Sequence, residues 1–148
     1  MERAEFGFFH PFRVRYSEID LQGVVFNAHY LTYFDTAITE YFRWLDVDVI
    51  AEAKASGVDF HTVRSLVEYK ASIRLDQEIE VGCRAARLGR SSLTFALAIF
   101  AKDERPLLAS GEIVWVNTDQ RTHKPLAISE RLREILRRRE GERLSENR

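Results

Sequence analysis

VRYSEIDLQGVVFNAHYLTYFDTAITEYFRWL, residues 14–45, decides how this chain reads. Phe12, Val14 and Tyr16 alternate with Arg13 and Arg15, the period of a strand with one buried face. Over 17–26 that period is lost, and Gly23 lets the backbone turn. Asn27 is placed to cap a helix, because its side chain can accept from the unpaired amides of a first helical turn. From residue 30 to 45, spacing at 100° per residue gathers Tyr30, Tyr33, Phe34, Ala37, Ile38, Tyr41, Trp44 and Leu45 on one side, widened by Leu31 and Phe42. The narrow remainder holds Thr32, Thr36, Thr39 and Arg43, so this helix must be mostly wrapped. Residues 27–46 would span roughly 30 Å, which suits the centre of a small domain.

Outward from that helix, residues 1–11 read as a loose lead-in whose Phe6, Phe8 and Phe9 dock on the body. A shorter helix is expected over 47–56, with Gly57 where a left-handed C-terminal residue is wanted. The remainder is mostly β, with strands over 60–71, 78–88, 92–102 and 107–117. Asp76-Gln77, the tight reversal Gly89-Arg90 and residues 103–106 separate them, and 119–125 is turn-like. An N-capped basic amphipathic helix closes the chain over 129–139, reading as a solvated terminal element. One strand, a long helix, a short helix and four antiparallel strands make an α+β fold, a curved sheet wrapped around the long helix.

The 148 residues are 45% apolar and 30% charged, which describes one ordinary globular domain. A net charge of −1 supplies no field to recruit nucleic acid. Cys83 is the sole cysteine, so a disulfide framework is excluded; within Ile79, Val81, Cys83 and Ala85 it reads as a buried thiol. No apolar stretch approaches the roughly 20 residues of a spanning helix, and a cytoplasmic protein is the expectation. His10, His29, His61 and His123 show no zinc-ligand spacing, and no Gly-x-Ser-x-Gly elbow, P-loop or dinucleotide fingerprint is present.

Val14-Arg-Tyr-Ser-Glu-Ile-Asp20-Leu-Gln-Gly23-Val-Val-Phe-Asn27-Ala-His-Tyr30, with Tyr33-Phe34-Asp35 after it, resembles the hot-dog-fold thioesterases of the 4-hydroxybenzoyl-CoA thioesterase and acyl-CoA thioesterase group. Val67-Glu68-Tyr69, Arg74-Leu75-Asp76 and Gly89-Arg90-Ser91-Ser92 look like its later strands, so the resemblance covers about 12–117. It implies one hot-dog domain over 1–148 with a sheet of about five strands, two subunits pairing into a continuous sheet as a homodimer or homotetramer, and active sites at that interface. It also implies acyl-CoA hydrolysis without cofactor or metal. Ser72 departs from the Pro of many relatives.

Thioester hydrolysis needs a carboxylate or water to attack and a group to stabilise the oxyanion. The residues alone leave Asp20 as either a turn-former or a base or nucleophile; the resemblance implies that Asp20 is the catalytic carboxylate and the Asn27 amide an oxyanion donor. Free amides over 27–29, backed by the helix dipole, suit that role. The Asn27 side chain stays open between cap and catalytic assistant. Glu18 falls on the outward strand phase and is expected in solvent. His29 reads as packing or as an alternative acid, and Asp35 as a pocket or pairing residue. Gly89-Arg90-Ser91-Ser92 reads as a hairpin turn or as an arm whose Arg87, Arg90 and Ser91 hold the phosphates of coenzyme A. Two rivals remain: a non-catalytic acyl-CoA-binding module, and a hot-dog hydratase or dehydratase, which pairs a His with an acid.

Overall fold

The computed structural model describes residues 1–147, so the last position of the expected span lies outside it. A 3-10 turn at Arg3–Glu5 leads into strand β1 (Phe9–Arg13), and a second turn at Tyr16–Glu18 leads to the loop ahead of helix α1 (His29–Trp44). Helix α2 (Val49–Ser56) comes next, then β2 (Val58–Tyr69), β3 (Glu78–Leu88), β4 (Ser92–Ala101), β5 (Leu107–Asp119), α3 (Glu130–Glu140) and the short β6 (Ser145–Glu146). The sheet runs β1-β3-β4-β5-β2 with all five antiparallel, and β6 pairs parallel to β3 at Arg87 and Leu88. This is the expected hot-dog arrangement, in which the strand after α2 does not neighbour β3 but forms the far edge, paired among the described residues only to β5 with Tyr69 opposite Ala109.

α1 lies on one sheet face with Tyr30, Tyr33, Phe34, Ala37, Ile38, Tyr41 and Phe42 buried, as its periodicity requires. Leu93, Phe95, Leu97 and Ile99 of β4 meet it, all fully buried. Trp115 stacks on Phe42 at 5.8 Å, and Trp44 packs between Phe8 and Tyr41 beneath the Arg139 guanidinium. Leu31, by contrast, is exposed. At Gly111 of β5 the approach is closest: a Cβ there would stand 2.2 Å from Phe34 Cε2.

The lead-in is not loose. Pro11 is tolerated because β1 is an edge strand. Phe6 closes over Ala98 and Phe100 in a separate apolar cluster, whose residues alternate with the α1-facing ones and so lie on the opposite sheet face.

Gly57 takes the left-handed conformation expected of it, at φ 70°, and Ser129 caps α3 by accepting from Leu132 N–H. α3 is less solvated than its charge suggests. Leu132, Leu136 and Glu140 are buried, and Tyr41 Oη donates to Glu140 Oε1 at 2.5 Å. Its outer arginines find carboxylates, Arg131 at Glu52 and Arg137 at Glu130. Among the described residues no helix is long and apolar enough to cross a membrane.

Candidate active site

The strand expected through Tyr16 stops at Arg13, because Arg15 and Glu18 fold the chain into a turn. Glu18 accepts from Arg15 N–H at 2.8 Å and from Arg15 Nη2 at 3.0 Å, and it is 5% exposed rather than in solvent. Burial pushes its carboxyl up, but the Arg15 side chain and amide outweigh that and hold it below the ordinary glutamate range. The neighbouring Tyr33 phenol is driven up, first by burial and then by the Glu18 charge.

This ion pair has a measurable consequence. A depressed folded-state pKa contributes stability that is present above the unfolded value and disappears as pH falls through the folded one. Glu18→Gln is therefore expected to cost about 1.5 kcal/mol at pH 7, the low end for hydrogen bonds to a charged group because Arg15 is largely exposed. Urea midpoints from pH 7 to 3 should show the gap closing below pH ~4.3; a constant gap would contradict the pairing.

Beyond Glu18 the loop doubles back. Ile19 bridges Val25, Asp20 N–H donates to the Val24 carbonyl at 2.9 Å, and Gly23, at φ 75°, donates to the Asp20 carbonyl at 3.0 Å. Phe26 N–H donates to the Glu18 carbonyl and Val25 N–H to that of Ile73. Asp20 Oδ1 accepts from Gln22 N–H at 2.8 Å, a side-chain turn that fixes the carboxylate. Oδ2 accepts no hydrogen bond among the described residues. It belongs to a cleft of about 360 Å³ lined by Asp20, Val25, Phe26, Asn27, Tyr30 and Tyr69, among others.

The start of α1 forms the other wall. Asn27 is not its cap: Ala28 stands there, with no side chain to accept from the first turn. His29 N–H is taken by the Phe26 carbonyl at 2.9 Å, which removes it from the expected set of free amides. The N–H groups of Asn27 and Ala28 donate to nothing among the described residues. The Asn27 carbonyl is held by Tyr69 Oη at 3.1 Å and Tyr30 N–H at 3.4 Å.

Asp20 and Asn27 thus share one cleft, and the other expected residues do not. His29 packs edge-on against Phe26, and Asp35 lines a small separate hollow with Leu31, Ile38 and Thr62. Arg87 pairs with Glu112 at 3.0 Å. Gly89 N–H closes the hairpin on the Ser92 carbonyl at 2.8 Å, so the tight turn over 89–92 forms, and Arg133 Nη2 donates to the Gly89 and Arg90 carbonyls. Ser92 lies opposite Val116, whereas Tyr69 lies opposite Ala109. At about 3.3 Å per residue the hairpin and the cleft are roughly 23 Å apart within one chain. Cys83 is buried and its thiol raised well above its ordinary range, as suits a packing residue.

The sequence pattern of the thioesterase superfamily matches residues 22–108. The chain belongs to this superfamily. Acyl-CoA thioester hydrolase YbgC from Escherichia coli is 33% identical over 118 residues, spanning 80% of this chain and 87% of that protein. Among solved structures, the PA5185 protein of Pseudomonas aeruginosa is 34% identical with a TM-score of 0.80, covering 91% of this chain and 92% of that one. A Thermus thermophilus thioesterase complexed with coenzyme A and Zn is 32% identical with a TM-score of 0.78, covering 93% and 96%. This member of the thioesterase superfamily is a thioester hydrolase of hot-dog fold, and Asp20 stands two positions ahead of the matched stretch.

Proposed function

We propose that the protein hydrolyses acyl-CoA thioesters to a free acid and coenzyme A, from one hot-dog domain, with Asp20 as base or nucleophile and the open amides of Asn27 and Ala28 as oxyanion donors. The observation that carries this reading is the Asp20 carboxylate, fixed through one oxygen and uncommitted at the other, in a cleft walled by an uncapped helix N-terminus. Relatives named for acyl-CoA hydrolysis and for a coenzyme A complex support the choice of thioester. A hydratase would want a His beside the acid, and His29 is turned onto Phe26.

The working unit in this reading is at least a dimer, built along β2. That strand is a 12-residue edge with Val63 59% and Leu66 40% exposed, a long open ladder that monomers rarely leave unblunted. Antiparallel pairing of two copies there would carry the 89–92 hairpin of one to the end of the sheet that holds the Asp20 cleft of the other, bringing Arg87, Arg90 and Ser91 toward the coenzyme A phosphates. A substrate that circulates inside cells and a reduced buried thiol support a cytoplasmic protein.

Thiol release from short, long and aromatic acyl-CoAs tests the proposal. Turnover of at least one is the expected result; coenzyme A binding without turnover of any would replace hydrolysis by binding.

A further inference from the structure

We infer that Tyr69 is a positioning residue for the oxyanion-binding amide of Ala28, tying down a helix start that has no side-chain cap; the inference rests on the hydrolase reading above. A helix start is ordinarily tied down by Ser, Thr, Asn or Asp, whose oxygen accepts from the first amides. A side chain capping from position 28 would reach the amides of Tyr30 and Leu31, not those of Asn27 and Ala28. Ala28 at the cap position offers no such tie, and the start of the helix is held from the other side: Tyr69 Oη donates to the Asn27 carbonyl at 3.1 Å. Peptide planarity then transmits the restraint, because the Asn27 carbonyl and the Ala28 N–H belong to one trans unit and point in opposite directions.

Two further observations single out this side chain. Its ring packs edge-on against Tyr30 at 4.8 Å, so the hydroxyl is aimed by contact with the same helix turn it holds. Within one chain Tyr69 is 53% exposed on an edge strand, yet its only polar side-chain atom is committed to that carbonyl. Tyr30 N–H reaches the same oxygen only at 3.4 Å, so the phenol is the closer restraint.

Tyr69→Phe keeps the ring and removes the hydroxyl. The expected result is a kcat about 10-fold lower, with KM within about 2-fold and an unchanged urea midpoint, because loosened donors are felt where charge develops rather than in ground-state binding. Tyr69→Phe with wild-type kcat, or with a loss confined to KM or to the midpoint, overturns the inference. Inactive wild-type protein would instead remove the hydrolase reading, and active wild type alongside inert Asp20→Asn and normal Tyr69→Phe would remove only the role of Tyr69.

Discussion

Asp20→Asn is expected to lower kcat for acyl-CoA hydrolysis by about 10²-fold or more while leaving the fold and assembly intact. The substitution separates two jobs of one side chain. Asp20 Oδ1 accepts from Gln22 N–H, and an asparagine carbonyl makes the same turn, so the 19–25 loop keeps its shape. The second oxygen becomes an amide NH₂, which neither takes a proton from water nor attacks a carbonyl. Rates with the best substrate of the acyl-CoA panel, read beside matching urea midpoints and elution volumes, check this. Equal turnover in the two proteins would move the catalytic carboxylate elsewhere.

The largest stability effect is expected where α1 touches the sheet. Phe34→Ala should cost about 3–5 kcal/mol, since the ring is fully buried and the hollow left behind lies between a helix and a β5 backbone that cannot follow it inward. Gly111→Ala attacks the same contact from the other side. Its Cβ would meet Phe34 Cε2 at 2.2 Å and the Leu66 carbonyl oxygen at 2.9 Å, forcing helix and edge strand apart at about 1–3 kcal/mol. Because the two residues share one space, Phe34→Leu combined with Gly111→Ala should cost less than the sum of the single changes. Urea denaturation of wild type, Phe34→Leu, Gly111→Ala and the double variant closes the cycle; strict additivity would show that the contact is not where the strain resides.

Much of this architecture was legible. The apolar arc of α1 survives almost residue for residue, β3 spans 78–88 as its alternation implies, and Ser129 and Gly57 bound their helices as their chemistry dictates. What escaped are features made by long-range pairing. Residues 70–77 carry the chain across to β3 while β2 pairs with β5, a choice of partner that local turn chemistry does not encode. Glu18 has the phase of an exposed strand residue, but its bonds to Arg15 break the strand and turn it inward. For the site, Asp20 and the loop ahead of the helix were readable from residue type, spacing and resemblance. The cap was misplaced by one residue because Asn27 is the better capping side chain, whereas the helix takes Ala28 as its cap. Tyr69 was visible only as a strand residue; its hydroxyl acquires a partner 42 positions away once β2 folds against the helix start.

Both tryptophans of the chain sit on α1 or directly against it. Trp115 is stacked with Phe42, and Trp44 is wedged between the N-terminal Phe8 and the guanidinium of the C-terminal helix. The intrinsic emission of this protein is therefore a built-in reporter of one event, the seating of the long helix in its sheet. The red edge of the spectrum will track that seating and remain blind to the loop at Asp20, where no indole lies.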